Sequence, residues 1–280
     1  MDTLPFEFCD SVVSTIDQLR SLPILVSKLS DRRFDIWTAV INDHVLNRRC
    51  VNITFGYNDL PIIHSSEPLS ETISLDDLRK VKKKHIRIEK ITWFGRQLSA
   101  SDCETLRYIN QVGNCSAIEM DSCSSTLEDK ERFAEYLKDT SFSSIFLYQP
   151  YEALLRQRSQ SKFLKRLHLR GSRWSKDLQP VIERILLTNP IEYAFICCDF
   201  SFGTAFLEKL FDLPCLTSKK EIKLHIKSLF KFRDLCTKLS TNRFADRHSW
   251  KRDDGVNVVM TRLRSTLISF QFSKNCKLLL

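Results

Sequence analysis

The amino-acid sequence predicts an α/β protein. It reads as a curved solenoid with one parallel sheet covered by helices, preceded by a small helical head and closed by a β-rich C-terminal cap. Three observations predict this. An apolar triplet spaced L-x-x-L-x-L, as at Leu164, Leu167 and Leu169, recurs through the middle of the chain. Helical spacing fills the gaps between its copies, as in Leu106, Ile109 and Val112. Alternating apolar residues around an Asp254-Gly255 turn signal mark the tail.

The other triplets are Ile88, Ile91, Trp93; Cys115, Ile118, Met120; Phe142, Ile145, Leu147; and Pro190, Tyr193, Phe195. Their middle positions, 91, 118, 145, 167 and 193, lie 27, 27, 22 and 26 residues apart. Leucine-rich repeats have periods in this range. Such repeats place Asn or Cys three residues past the triplet, where Cys123 and Cys198 stand; Arg96, Pro150 and Ser172 hold the slot elsewhere. One strand plus one helix cannot bury its apolar face alone, so the units must stack. A doubly wound open sheet is the alternative. The short steps and the lack of a Gly-rich phosphate loop after any strand speak against it.

Between the strands, Ser101 with Glu104 reads as a capping box for the first helix. Thr126 opens the second, which buries Phe133 and Leu137, and a short third carries Tyr151, Leu154 and Leu155. The fourth starts at Ser175 or Asp177, takes Pro180 in its first turn, and shows Val181, Ile182, Ile185 and Leu186. Phe206, Leu207, Leu210 and Phe211 mark the fifth.

Alternation along each strand then sends the intervening residues to a helix-free, concave face. The expected rows are Lys90, Thr92, Phe94; Ala117, Glu119, Asp121; Ser144, Phe146, Tyr148; Arg166, His168, Arg170; and Glu192, Ala194, Ile196. From these, Phe94, Glu119, Asp121, Phe146, Tyr148, Arg166, His168 and Arg170 are the candidate partner-binding residues. Aromatic and arginine side chains in one patch suit a protein contact; a merely solvated strand face is the plain alternative.

The formal charge of +9 admits an anionic partner, and basic residues cluster at 79–96 and 155–176. A nucleic-acid groove needs basic charge along its length with aromatics between. The rows run mixed, acidic, aromatic, basic and mixed, which favours a protein partner over nucleic acid.

With 280 residues, 42% hydrophobic content, 6 Gly and 8 Pro, the chain is globular. No apolar run approaches the ~18–20 residues of a membrane helix. The opening MDTLPFEFCD lacks a basic signal-peptide region, so a cytoplasmic or nuclear location is expected. Ten cysteines without a C-x-x-C pair read as reduced thiols, with no metal site. No nucleophile elbow, P-loop or H-E-x-x-H is present, so no catalytic residues and no cofactor are expected.

Four regions follow. Residues 1–50 form a helical head with Phe8, Val12, Val13 and Ile16, then Leu19, Leu22 and Leu25, then Phe34, Trp37, Ile41 and Val45. Residues 51–84 hold a connecting strand at 51–57 and a polar linker at 58–76; residues 85–215 are the array. Residues 216–280 are the cap, with a strand around Ile222, Leu224 and Ile226, a hairpin in SWKRDDGVNVVM and a strand in STLISFQF. The cap is expected to shield the last open edge of the sheet.

Leu4-Pro5, Glu7-Phe8, the apolar helix ending at Ile16, the Leu-rich second segment and Trp37 together resemble an F-box. An F-box ahead of such repeats is similar to the leucine-rich-repeat F-box proteins. The stretches PFEFCDSVV, NRR, ITFGYN and SWKRDDG look closest to the expanded nematode F-box-like families. The resemblance implies a substrate-recruiting adaptor, monomeric outside its complex. Its head would dock on the Skp-type linker of a cullin-RING ubiquitin ligase while the repeats hold a protein substrate. Leu4, Pro5, Phe8, Val12, Ile16, Leu19, Leu22 and Trp37 would be the linker-facing or F-box-core positions. A solenoid unconnected with ubiquitin, and a basic nucleic-acid binder using Lys82, Lys83 and Lys84, are the rival readings.

Overall fold

The computed structural model describes residues 9–10, 12–13, 35–56, 60–66, 71–121, 125–198, 200, 202–211, 219–225, 242–244, 247–251, 256–262 and 267–274. A mixed sheet of 13 strands runs through them. Helix α1 (Asp35–Asn47) leads into β1 (Arg49–Phe55), and two short antiparallel strands, β2 (Ile62–Ser65) and β3 (Thr72–Ile73), continue to one edge. The stretch 58–76, expected as a linker, thus supplies sheet. Helix α2 (Leu75–Lys80) and a 3-10 turn at Lys83–His85 carry the chain across β1 to β4 (Ile86–Trp93), which pairs parallel with it.

From β4 onward, helix and strand alternate. The order is α3 (Ala100–Val112), β5 (Asn114–Met120), α4 (Leu127–Tyr136), β6 (Ser141–Leu147), α5 (Glu152–Arg158), β7 (Arg166–Arg170), α6 (Gln179–Thr188), β8 (Tyr193–Cys197), α7 (Thr204–Phe211) and β9 (Lys219–His225). Each of these strands lies parallel beside the preceding one. The tail adds β10 (Asn242–Phe244), β11 (Arg247–Lys251), β12 (Val256–Arg262) and β13 (Leu267–Lys274). Strand β13 pairs antiparallel with β9 and so covers the edge that the last parallel strand would otherwise expose.

Strand order never reverses between β4 and β9. A doubly wound sheet requires such a reversal, and it is this that sends helices to both faces. Parallel crossovers are right-handed in nearly all proteins, and with that hand the consecutive order puts the helices between β4 and β9 on one side. The core agrees: Leu106 and Ile109 of α3, Phe133 of α4, Leu154 and Leu155 of α5, Ile182 and Ile185 of α6 and Leu207 of α7 share one cluster with the inward strand residues. Ile91, Ile118, Ile145 and Leu167 are consecutive register partners, all fully buried.

The fifth rung differs from expectation. Leu167 pairs with Ala194, not Tyr193, and Ala194 and Ile196 are the buried residues. The true triplet is Ile191, Ala194, Ile196, one residue beyond the expected one. Because side chains alternate, that single step moves Tyr193, Phe195 and Cys197 to the helix-free face and takes Ala194 and Ile196 off it.

Capping of α3 also differs. Its box is Ser99 with Asp102, not Ser101 with Glu104. The Ser99 N–H donates to Asp102 Oδ2 at 2.8 Å and the Asp102 N–H donates to Ser99 Oγ at 3.1 Å. Asp102 is fully buried, and Arg96 closes on its two carboxylate oxygens at 2.7 and 2.8 Å. The same guanidinium donates to the Gly56 carbonyl at the end of β1. Gly113 ends α3 at φ +80, the left-handed conformation that glycine adopts without a Cβ penalty.

Of the head, the described part is α1 and the helical residues 9, 10, 12 and 13, where Cys9 and Val13 pack on Val40 and Ile41. A polar network joins it to the sheet. Lys84 Nζ reaches Asp10 at 2.9 Å and Asp43 at 3.2 Å, and His85 meets Asp43 at 3.0 Å. His44, fully buried, contacts Asp10 through Nε2 at 3.1 Å while Arg48 donates to its Nδ1 at 3.2 Å. That pattern requires the neutral tautomer with the proton on Nε2.

Burial first, then the neighbouring Arg48 and His85, hold the His44 imidazole below its usual range, against the pull of Asp10. Burial would raise Asp10 and Asp43, but Lys84 and the two histidines hold both carboxyls below theirs. Both shifts have one sign: the unfolded chain binds more protons, so stability falls as pH drops. The His44 contribution is complete above about pH 6.5 and declines below it; the two aspartates follow below about pH 3.9. The urea midpoint is therefore expected to fall between pH 7 and 5.5, and His44→Gln to flatten that fall. A midpoint that is level over this range in the unsubstituted chain refutes it.

Candidate functional site

The side of the parallel strands that is free of helices among the described residues collects the outward residues into rows set by strand register. One row runs Asn52, Lys90, Ala117, Ser144, Arg166, Tyr193 and Glu221 from β1 to β9. The next runs Thr54, Thr92, Glu119, Phe146, His168, Phe195 and Lys223. Beyond the strand ends, Phe94, Asp121 and Tyr148 continue the ladder, each donating its backbone N–H to the preceding unit, and Arg170 pairs with Cys197. All eight residues expected to bind a partner, Phe94, Glu119, Asp121, Phe146, Tyr148, Arg166, His168 and Arg170, lie on this one side. Of the row expected from the fifth rung, Ala194 and Ile196 are in the core instead.

His168 sits at the centre. Its ring lies 4.7 Å from Phe195, 5.5 Å from Tyr148 and 6.0 Å from Phe146, centroid to centroid. Its Nε2 is buried and, among the described residues, has no hydrogen-bond partner. Burial and then the Arg170 charge hold the imidazole below its usual range, with Glu119 opposing, so it is neutral at pH 7. Burial and the adjacent Glu119 carboxylate likewise push the Tyr148 phenol up. A neutral imidazole among rings is a flat apolar platform with a polar edge.

The missed residues of this face are Tyr193, beside Arg166, and Phe195, a member of the platform. The signal for them was present: Ile191, Ala194 and Ile196 match Leu164, Leu167 and Leu169 position for position. Tyr193 carries the Lys223 ammonium 5.6 Å above its ring. At the far end of β7, Gly171 takes φ +95, and a Cβ there would stand 2.6 Å from the Tyr148 carbonyl oxygen. Glycine lets the chain leave β7 tight against the backbone that presents Tyr148.

Several members of the two basic clusters have partners within the fold. In 79–96, Arg79 pairs with Glu104 at 2.6 Å, Lys80 with Asp77 at 2.6 Å, Lys90 with Glu119, and Lys84 and Arg96 with the carboxylates above. In 155–176, Arg158 is buried, donates to the Leu137 carbonyl and lies 4.9 Å from the Phe142 ring centre. Burial pushes that guanidinium down to about 10. Part of the basic charge in both clusters is thus committed within the fold.

Of the expected linker-facing residues, Leu4, Pro5, Phe8, Ile16, Leu19 and Leu22 lie outside the described residues, as do Cys123 and the tip at Asp254-Gly255. Val12 is 37% exposed beside the buried Val13, and Trp37 lies half-buried against the small head cluster. Cys9, Cys50, Cys103, Cys115, Cys197 and Cys198 are thiols rather than disulfides, and burial pushes Cys115 up to about 12. Among the described residues no group of His, Cys, Asp or Glu is arranged to hold a metal ion, and no helix is long and apolar enough to cross a membrane. Comparison with protein-family models, curated proteins and solved structures found no match.

Proposed function

We propose that the chain is a non-enzymatic protein-recognition module: a leucine-rich-repeat-like solenoid whose helix-free face holds a protein partner. The observation that carries this is the aromatic platform of Phe146, His168, Phe195 and Tyr148, which among the described residues no helix covers and which Arg166 and Arg170 flank. Rings and arginines at the centre of a patch with a polar rim are the composition of a protein contact. The pairing of most lysines and arginines in 79–96 with carboxylates supports a protein over a nucleic acid. The resemblance of the N-terminal sequence to an F-box extends the reading to a substrate-recruiting adaptor, with the head on a Skp-type linker of a cullin-RING ligase.

Affinity purification of the intact chain tests both halves. Phe146→Ser with Phe195→Ser is expected to lose the substrate while keeping the linker, and Pro5→Ala with Phe8→Ala to do the reverse. Captured proteins indifferent to the face substitutions would sink the recognition reading, and a linker indifferent to the head substitutions would sink the adaptor half. Binding to nucleic acid with a steep log-linear loss on added salt would replace both.

A further inference from the structure

The charges on and around the open face are not equivalent. Three lysines there have a carboxylate: Lys90 pairs with Glu119, Lys223 with Glu221 at 3.4 Å and Lys165 with Glu192 at 3.9 Å. Arg166 and Arg170 are both exposed, and among the described residues neither forms an ion pair, Asp121 included. They stand on one strand with His168 between them. Two uncommitted guanidiniums thus bracket a neutral ring platform made by Phe146, His168 and Phe195, which are consecutive register partners.

We propose that this spot takes an extended acidic segment of a protein partner, with one apolar side chain on the three rings and a carboxylate on each of Arg166 and Arg170. The inference rests on the recognition reading above and specifies its partner. Same-face residues on an extended chain repeat every ~6.6 Å, twice the ~3.3 Å rise per residue. Positions 1, 3 and 5 of an extended peptide therefore match 166, 168 and 170. An arginine already paired must give up one carboxylate to gain another, whereas these two gain a partner outright. A planar guanidinium also meets a carboxylate through two parallel hydrogen bonds. Exposed ion pairs alone contribute little, so the ring seat must supply the anchoring and the arginines the register.

The test is fluorescence anisotropy of the full chain with a fluorescein-labelled peptide whose core is glutamate-serine-phenylalanine-serine-glutamate. Arg166→Ala with Arg170→Ala, serine for the central phenylalanine, and moving the acids to positions 2 and 4 are each expected to weaken binding at least about tenfold. Both arginines are exposed, so the double variant is expected to keep the parent's unfolding midpoint. No binding of the parent peptide overturns the proposal, as does equal binding by the arginine variant. Tighter binding of a lysine-for-glutamate peptide or of a single-stranded oligonucleotide does the same. If the arginine variant still loses no partner while Phe146→Ser with Phe195→Ser does, the recognition reading stands and the acidic segment is withdrawn.

Discussion

Replacing Asp102 by alanine is expected to lower the unfolding free energy by about 3–5 kcal/mol. The carboxylate is fully buried and the Arg96 side chain 14% exposed, so removing the acid leaves a nearly buried guanidinium facing no charge. It also removes half of the capping box at the start of α3, itself a contribution of about 1 kcal/mol. And it releases Arg96 from the position in which it holds the Gly56 carbonyl, so the end of β1 loosens with the helix. Ser99→Ala, which removes the cap alone, is expected to cost only that smaller amount. Replacing the pair together, Arg96→Met with Asp102→Leu, is expected to recover most of the loss, because two apolar side chains leave no charge uncompensated. Urea unfolding of the variants checks this. An Asp102→Ala loss no larger than that of Ser99→Ala refutes the buried-pair account.

Trp93→Ala is expected to cost a further about 3–5 kcal/mol, the amount typical of a large aromatic removed from a tight core. Trp93 is fully buried at the end of β4 and stacks on Phe133 of α4 with ring centres 4.3 Å apart and planes 8° from parallel. Phe133 in turn meets Phe55 of β1 edge-on at 5.8 Å, and Tyr151 lies 5.7 Å from Trp93. The indole therefore joins side chains from three successive units. Its Nε1–H is buried with no hydrogen-bond partner among the described residues, a cost of about 1–3 kcal/mol in the native state. Trp93→Phe removes that donor along with part of the volume, so its loss is expected to fall well below that of Trp93→Ala. Equal losses for the two would mean that ring packing contributes nothing there.

Much of this was legible in the chain. The rungs at Ile91, Ile118, Ile145 and Leu167 were readable because leucines, isoleucines and methionine fall on one parity while Lys90, Glu119, Ser144 and Arg166 fall on the other. The fifth rung slipped because the open-face residues Tyr193 and Phe195 are as apolar as the core residues Ala194 and Ile196, so hydrophobicity alone does not separate the two faces. One of the residues that hid the register, Phe195, is part of the platform. Ser99-x-x-Asp102 and Ser101-x-x-Glu104 satisfy the same capping pattern; only Arg96 folding back onto Asp102 decides between them. Strands β2 and β3 were hidden because runs of four and two residues are too short to show an alternating pattern. The contact between Lys84 and Asp10 spans 74 positions and leaves no local trace.

The sheet's terminal strands have a consequence for life at high concentration. Thirteen strands spaced ~4.8 Å apart make a surface on the order of 55–60 Å across. Among the described residues it stops at Thr72–Ile73 on one side and Asn242–Phe244 on the other. Stubs of two and three residues offer a second copy almost no ladder to zip onto, so the molecule can be broad without seeding fibres.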